Sequence, residues 1–223
     1  MEQFGSLEPA TFAKPDLLPE RLADWLRDQI VVGAFPPGTR LVEQVLCKQA
    51  GVSRVPMREA LRILVADGLI VLEAHRGATV TPLSDQELDD LFGMRIALEG
   101  FASSEAARLQ PCASLPELRA LVQQMRDAVS LGELDVYHAL AALFHGGLVS
   151  AAGNTLLVKA YERLKIRLSR YQAEMARVPD LPSRSILEHE RILDAVEAGD
   201  SESARCLAEQ HIRQLVESYQ LRC

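Results

Sequence analysis

The chain has 223 residues, of which 48% are hydrophobic and 25% charged. That balance belongs to a globular protein with a sizeable core, not to a disordered or fibrous chain. Lys and Arg number 24 against 31 Asp and Glu, a formal charge of −7, which argues against a general polyanion binder but allows a small basic surface on an acidic body. No run reaches the roughly 20 apolar residues of a membrane helix. The N-terminus carries acids and prolines where a secretion signal would have a basic start and an apolar core. Cys47, Cys112, Cys206 and Cys223 are scattered without a C-x-x-C pair, so reduced thiols in a cytoplasmic protein with no membrane attachment are expected.

Residues 1–19 hold Pro9, Pro15 and Pro19 with no sustained period and read as a flexible arm. Leu22, Trp25, Leu26 and Ile30 recur at helical spacing, predicting a helix from Pro19 to Ile30 that ends before Gly33. Phe35-Pro36-Pro37-Gly38 makes a turn, and a short helix fits Val42 to Ala50, stopped by Gly51. Ser53 is the predicted N-cap of a third helix reaching Asp67, with Gly68 as terminator. Leu69–Leu72 and Ala78–Thr81 read as strands of a hairpin with Gly77 in its turn.

Beyond Pro82 the strand signal disappears. Ser84-x-x-Glu87 and Ser114-x-x-Glu117 are capping boxes predicted to open helices reaching Leu109 and Leu131. Further helices fit 134–152, 154–176, 185–198 and 201–219, separated at Gly153, Pro179 and Pro182, and Gly199. The expected fold is mainly α: a winged helix-turn-helix over 20–82, then an all-helical bundle of about six helices over 83–223. There is no internal repeat.

In the third helix Arg54, Arg58 and Arg62 stand at i, i+4 and i+8 and form one basic stripe, while Met57, Leu61 and Leu64 form an apolar stripe suited to packing. Pro56 falls in the first turn, where a missing N–H costs little. A lone stripe of this kind is usually a solvated face. Preceded by a short helix and a glycine turn, and followed by a hairpin with Arg76-Gly77 at its tip, it suits entry into a DNA major groove.

Residues 22–81 resemble the winged helix-turn-helix of the GntR family of bacterial transcription regulators. The matching stretches are Gly33-x-x-Pro36-Pro37-Gly38-Thr39-x-Leu41, Gly51-Val52-Ser53-Arg54-x-Pro56-x-Arg58-Glu59-Ala60-Leu61-x-x-Leu64, Asp67-Gly68-Leu69-Ile70 and Arg76-Gly77-Ala78-x-Val80. The resemblance implies DNA contacts from Ser53, Arg54 and Arg58, with Gln44 on the second helix and His75, Arg76 and Gly77 on the wing. Gln44 stands where the family often has a charge. Cys47 departs from the usual pattern and is expected to be a small buried residue.

Residues 84–221 resemble the helical FCD domain of the family's FadR branch, through Arg95-x-x-Leu98-Glu99, Phe144-His145, Ala152-Gly153-Asn154, His189 and His211. Taken singly, the histidines make no local motif and read as ordinary core or surface residues. The resemblance implies that His145, His189 and His211 surround a divalent metal, Zn²⁺ or Ni²⁺, together with an aspartate one turn before the first histidine. Here that position is Ala141, which removes the charged ligand and leaves three neutral imidazoles to be completed by water or an effector carboxylate. Gly146-Gly147 weakens that helix and is expected to enlarge the pocket.

Arg95 suits an anionic effector, since a guanidinium meets a carboxylate as a fork, and it equally suits a structural pair with Glu99 at i, i+4. Asn154 reads as a turn or cap residue. The expected function is a DNA-binding regulator and repressor, acting as a homodimer on an inverted-repeat operator in double-stranded DNA and controlled by a small organic-acid effector. The competing reading is a metal-dependent hydrolase-like helical enzyme built on the same histidines. It lacks H-E-x-x-H, His-Asp and G-x-S-x-G, and Glu188 and Glu190 are expected to project away from His189. Charge divides unevenly: residues 1–82 carry −1, residues 83–223 carry −6, and residues 40–77 carry +2. DNA would therefore be met by a few placed arginines.

Overall fold

The computed structural model describes residues 18–73, 77–82, 84–171 and 181–220. Two compact units divide between Ser84 and Asp85.

The first unit runs α1 (Leu18–Val31), β1 (Arg40–Leu41), α2 (Glu43–Ala50), α3 (Arg54–Ala66), β2 (Ile70–Glu73) and β3 (Gly77–Val80). Its apolar periodicity does what the spacing demands: α1 buries Leu22, Ala23, Leu26 and Ile30, and α3 buries Met57, Ala60, Leu61 and Leu64. Each large aliphatic side chain so removed from water contributes about 1.5–3 kcal/mol. Arg27 on α1 donates to Asp67, the C-cap of α3, over 2.8 Å, tying the two helices together. Gly51 ends α2 in the left-handed region, at φ 67°, where its N–H reaches the Cys47 carbonyl. Cys47 itself is half-buried rather than buried, because Leu46 takes the inward position on this face.

The hairpin is antiparallel, with Ile70 opposite Val80 and Glu73 opposite Gly77. A third strand, β1, adds to it in the order β1-β3-β2, pairing Arg40 with Thr79. Two residues show no alternation, so β1 leaves no pattern in the sequence. Ser53 occupies the N-cap position of α3 with extended backbone, but its side chain makes no capping bond.

The second unit contains, among the described residues, α4 (Asp85–Arg108), α5 (Leu115–Ser130), α6 (Leu134–Ala151), α7 (Thr155–Leu168) followed by a 3-10 turn at Ser169–Tyr171, α8 (Leu181–Glu197) and α9 (Ser201–Gln220). These six helices fit the expected all-helical bundle. The core gathers Leu118, Val122, Met125, Phe144, Leu148, Leu193 and Val196. The helix α4 approaches α9 closely through small residues; a Cβ at Gly100 would come within 2.7 Å of the Glu209 Cγ. The Glu87 carboxylate accepts from Arg167 Nη2 at 2.7 Å and from the Tyr171 hydroxyl at 3.2 Å, tying the start of α4 to the turn after α7.

Several boundaries depart from the sequence expectation. The Ser114 side chain makes no cap bond: its backbone is already helical, and a proline occupies the first turn. Residues 181–184 are already helical, so α8 includes Pro182 and does not wait for Ser185. The predicted end of α7 at 176 lies outside the described residues. Asn154 caps α7, its Oδ1 accepting from the Leu156 and Leu157 amides at 3.1 Å. No helix among the described residues is long and apolar enough to cross a membrane.

Candidate functional site

In the first unit the sequence places short, polar and basic residues where α3 begins, and the fold leaves them outward. Ser53, Arg54 and Arg58 are all exposed, the two arginine side chains at 65% and 61%. Both face one carboxylate. Arg58 Nε donates to Glu43 Oε2 at 2.8 Å, and Arg54 Nε lies 3.9 Å from Glu43 Oε1. That hydrogen bond and the negative charge hold the Arg58 guanidinium above its ordinary pKa. Glu43 takes Nε, which leaves the Nη1 and Nη2 donors of this largely exposed side chain to serve as a fork.

Arg62 pairs instead with Glu59 at 2.6 Å, one turn back. Gln44 is exposed on α2. Gly77 opens β3 with φ 83°, a conformation that glycine adopts without strain. His75 and Arg76 lie outside the described residues. Glu43 and the 72% exposed Val55 were not singled out by sequence. Glu43 looks like an ordinary first-turn acid until the fold brings α3 across it.

In the second unit the placement is the reverse. Helices α6, α8 and α9 each turn one histidine inward, and His145, His189 and His211 are all buried, with one nitrogen of each lying within 4.8 Å of the others. Phe144 stacks on His189 at 4.1 Å between ring centroids and walls the cluster from the core. His189 Nε2 lies 3.2 Å from His211 Nε2.

Two carboxylates back the cluster. His145 Nδ1 meets Glu99 Oε2 at 2.8 Å, and His211 Nδ1 meets Glu188 Oε2 at 2.5 Å. Glu188 thus corrects the sequence reading: it points away from His189, as a neighbouring position must, but reaches His211 on the adjacent helix. Glu99 also accepts from Arg95 Nε at 2.5 Å. Burial alone would raise the Glu99 pKa, but Arg95 and His145 outweigh it and hold the carboxyl far below the usual range. An ionised carboxylate accepts, so the His145 proton sits on Nδ1 and the lone pair on Nε2.

Burial draws His145 down to about 4, against the pull of Glu99. It also lowers His189 well below its ordinary value, with neighbouring His211, His145 and Arg95 adding to the effect. Both rings are therefore neutral, the form in which imidazole binds metal.

The cluster opens on a cavity of about 120 Å³ lined by Arg95, His138, Ala141, Ala142, Tyr161 and Lys165 among others. Arg95 satisfies both sequence readings at once, pairing with Glu99 while lining the cavity. Tyr161 packs against the same ion pair, and burial pushes its hydroxyl pKa upward. Of the two glycines after His145, Gly147 does not make this room. Gly147 lies under Leu118, where an added Cβ would come to 2.8 Å, so it serves helix packing. The space beside His145 is left by Ala141 and Ala142.

The donor set fits a divalent ion that prefers nitrogen. Three buried imidazoles converge, carboxylates occupy the outer nitrogens of two of them, and the buried Nδ1 of His189 has no hydrogen-bond partner among the described residues. The nearby carboxylates of Glu99 and Glu188 both hold histidine Nδ1 atoms, so this inner set carries no anionic ligand.

Residues 18–80 match the family model of bacterial regulatory proteins, gntR family, and residues 90–214 match that of the FCD domain. The chain is 32% identical over 193 residues to a Paenarthrobacter nicotinovorans protein named probable D-xylose utilization operon transcriptional repressor, spanning 86% of this chain and 84% of that one. It is 29% identical over 201 residues to the HTH-type transcriptional regulator McbR of Escherichia coli K12, spanning 87% and 90%. The solved structure of E. coli McbR/YncC superposes with a TM-score of 0.74 at 27% identity, covering 92% of this chain and 99% of that one.

Proposed function

The chain belongs to the GntR family of bacterial regulatory proteins, with an FCD domain in its second half, and from that membership we propose how its two units divide the work of a DNA-binding transcription regulator. The first unit reads an operator, and the second holds a small carboxylate effector that sets how well the first unit binds. Its family and relatives are transcription regulators, not enzymes, so the histidines are ligand holders with no catalytic part.

The reading of DNA rests chiefly on one observation: two arginines on the opening turns of α3, exposed and braced by a shared carboxylate. Arg58 offers its outer fork to guanine O6 and N7, Arg54 and Ser53 meet phosphate or base edges, and Gln44 and Gly77 flank them. Val55 supplies an apolar contact suited to a thymine methyl. Such a unit reads one half-site. A homodimer on an inverted repeat follows from the match between two-fold protein and two-fold DNA. Repression is favoured because relatives are named operon repressors.

In the second unit the cavity wall combines the Arg95 guanidinium, balanced by Glu99, with a cluster of imidazoles, and an ion held by that cluster would supply the positive charge that a carboxylate needs. His145, His189 and His211 would hold Zn²⁺ or Ni²⁺ there. When bound, such an ion supplies a Lewis-acidic anchor for an effector oxygen. Glu99 and Glu188 orient two of the three rings from behind. An effector that fits one arrangement of the helices better than another shifts the population toward it, and so changes DNA affinity by its differential binding free energy.

Electrophoretic or fluorescence titration against the DNA upstream of the protein's own gene tests the DNA reading. Arg54→Ala and Arg58→Ala should each weaken specific binding about ten- to a hundredfold. Wild-type affinity in both variants would remove α3 from the interface. For the cavity, Zn²⁺ or Ni²⁺ should raise the melting temperature of the full chain, and His189→Ala should abolish that rise. Metal analysis without stoichiometric ion, together with no thermal shift, would reduce the histidines to cavity walls.

A further inference from the structure

The three imidazoles are supported unequally from behind. His145 leans on Glu99, a buried carboxylate that the buried Arg95 also holds. The Nδ1 of His189 is buried without a partner among the described residues. The support of His211 is the one that reaches the outside. Glu188 Oε2 meets His211 Nδ1 at 2.5 Å, and both residues line a groove of about 460 Å³ between α8 and α9, while His211 also lines the inner cavity. A glutamate side chain has the rotamer freedom to turn into such a groove and exchange the ring for water. Arg184 stands in the way. One turn before Glu188 on α8, its Nε lies 3.4 Å from Glu188 Oε1, the oxygen that His211 does not use. Its Nη2 donates to Ser218 Oγ at 2.7 Å and to the Gln214 carbonyl at 3.4 Å. The guanidinium therefore spans from the carboxylate on α8 to the helix that carries the His211 ring.

We propose that Arg184 is a positioning residue for the metal cluster, holding Glu188 against His211 Nδ1 so that His211 Nε2 stays aimed at the ion. The inference rests on the reading of the three histidines as holders of Zn²⁺ or Ni²⁺ and adds a residue that touches none of them. A carboxylate on the outer nitrogen fixes the tautomer and orientation of a ligating ring. The ring already stands where a ligand would: His189 Nε2 and His211 Nε2 are 3.2 Å apart, and two nitrogens each about 2.0 Å from one tetrahedral ion are roughly 3.3 Å apart. The brace therefore has to keep the ring in place, not move it. Position and charge pull in opposite directions here. The positive charge of Arg184 by itself repels a divalent cation, so removing it would tighten metal binding, whereas loss of a positioning contact weakens it. Arg191 separates the two effects. It lines the same groove and carries the same charge, yet makes no ion pair among the described residues.

The test measures the Zn²⁺ affinity of the full chain by competition with a chromophoric chelator, with Co²⁺ absorption as the record of coordination geometry. Arg184→Met should weaken Zn²⁺ about three- to tenfold, less than the ten- to hundredfold expected of Glu188→Gln. Arg184→Lys should recover part of the loss, and Arg191→Met should bind as the wild type does or slightly tighter. The Co²⁺ spectrum of Arg184→Met should keep the wild-type form at saturation, because the ligands are the same. An ion pair with one side chain 47% exposed contributes little to folding, so metal-free Arg184→Met should melt with the wild type. Wild-type or tighter Zn²⁺ binding in Arg184→Met, an equal change in Arg191→Met, or a lower melting temperature of the metal-free variant overturns the positioning role and leaves the metal reading standing, because the wild type still binds. If the wild type itself takes up no Zn²⁺, the metal reading fails and this inference falls with it.

Discussion

The two units use arginine in opposite ways. In the first, Arg54 and Arg58 are largely in water and share Glu43 at the surface. In the second, Arg95 is only 9% exposed and Glu99 1%, and the carboxylate also holds a histidine. Surface guanidiniums are available to a large polyanion and contribute little to folding. A buried guanidinium reaches only what is small enough to enter, and its pairing is bound up with the stability of the helices around it. The same residue type therefore marks a macromolecular surface in one unit and a small-molecule cavity in the other.

That contrast is breakable by substitution. The largest effect belongs to Glu99→Gln, which leaves the Arg95 guanidinium buried without a counter-charge; chemical denaturation should show a loss of about 3–5 kcal/mol. The double variant Arg95→Met, Glu99→Leu should recover much of it, because no uncompensated charge remains. A mild effect from Glu99→Gln alone would mean that the pair is hydrated and the cavity wall softer than drawn. Arg54→Ala and Arg58→Ala should do the converse, weakening DNA binding while leaving the melting temperature unchanged.

Asn154→Ala comes next, expected to cost about 1 kcal/mol through loss of the α7 cap without altering DNA affinity at temperatures where the protein stays folded. The smallest effect on stability is expected from Glu43→Gln, and it sharpens the comparison most. Removing this charge should raise affinity for random DNA, while freeing Arg58 should lower discrimination between the operator and a guanine-substituted site. Unchanged discrimination would make Glu43 a bystander to base readout.

Much of the architecture was legible because its signals are local. Apolar residues at helical spacing located α1 and α3, positive-φ glycines closed α2 and α3, and Asn154 fell where a cap was needed. The local rules failed where context decided. Ser114 had the right sequence for a capping box but the wrong backbone, Pro182 lies within a helix it was expected to precede, and β1 was too short to show a period.

At the sites, the sequence alone determined which residue types are present and on which helix faces they lie: an arginine stripe on α3, and histidines on three helices with Ala141 in place of an acid. Only the tertiary structure decided their partners. Glu43 meets Arg58 across 15 residues, Glu188 meets His211 across 23, and Glu99 meets His145 across 46. Periodicity fixes a side chain's direction from its own helix axis and says nothing of what another helix brings opposite. The exposed pair, the doubly backed imidazoles and the Arg184 brace behind Glu188 therefore exist only once the helices have packed.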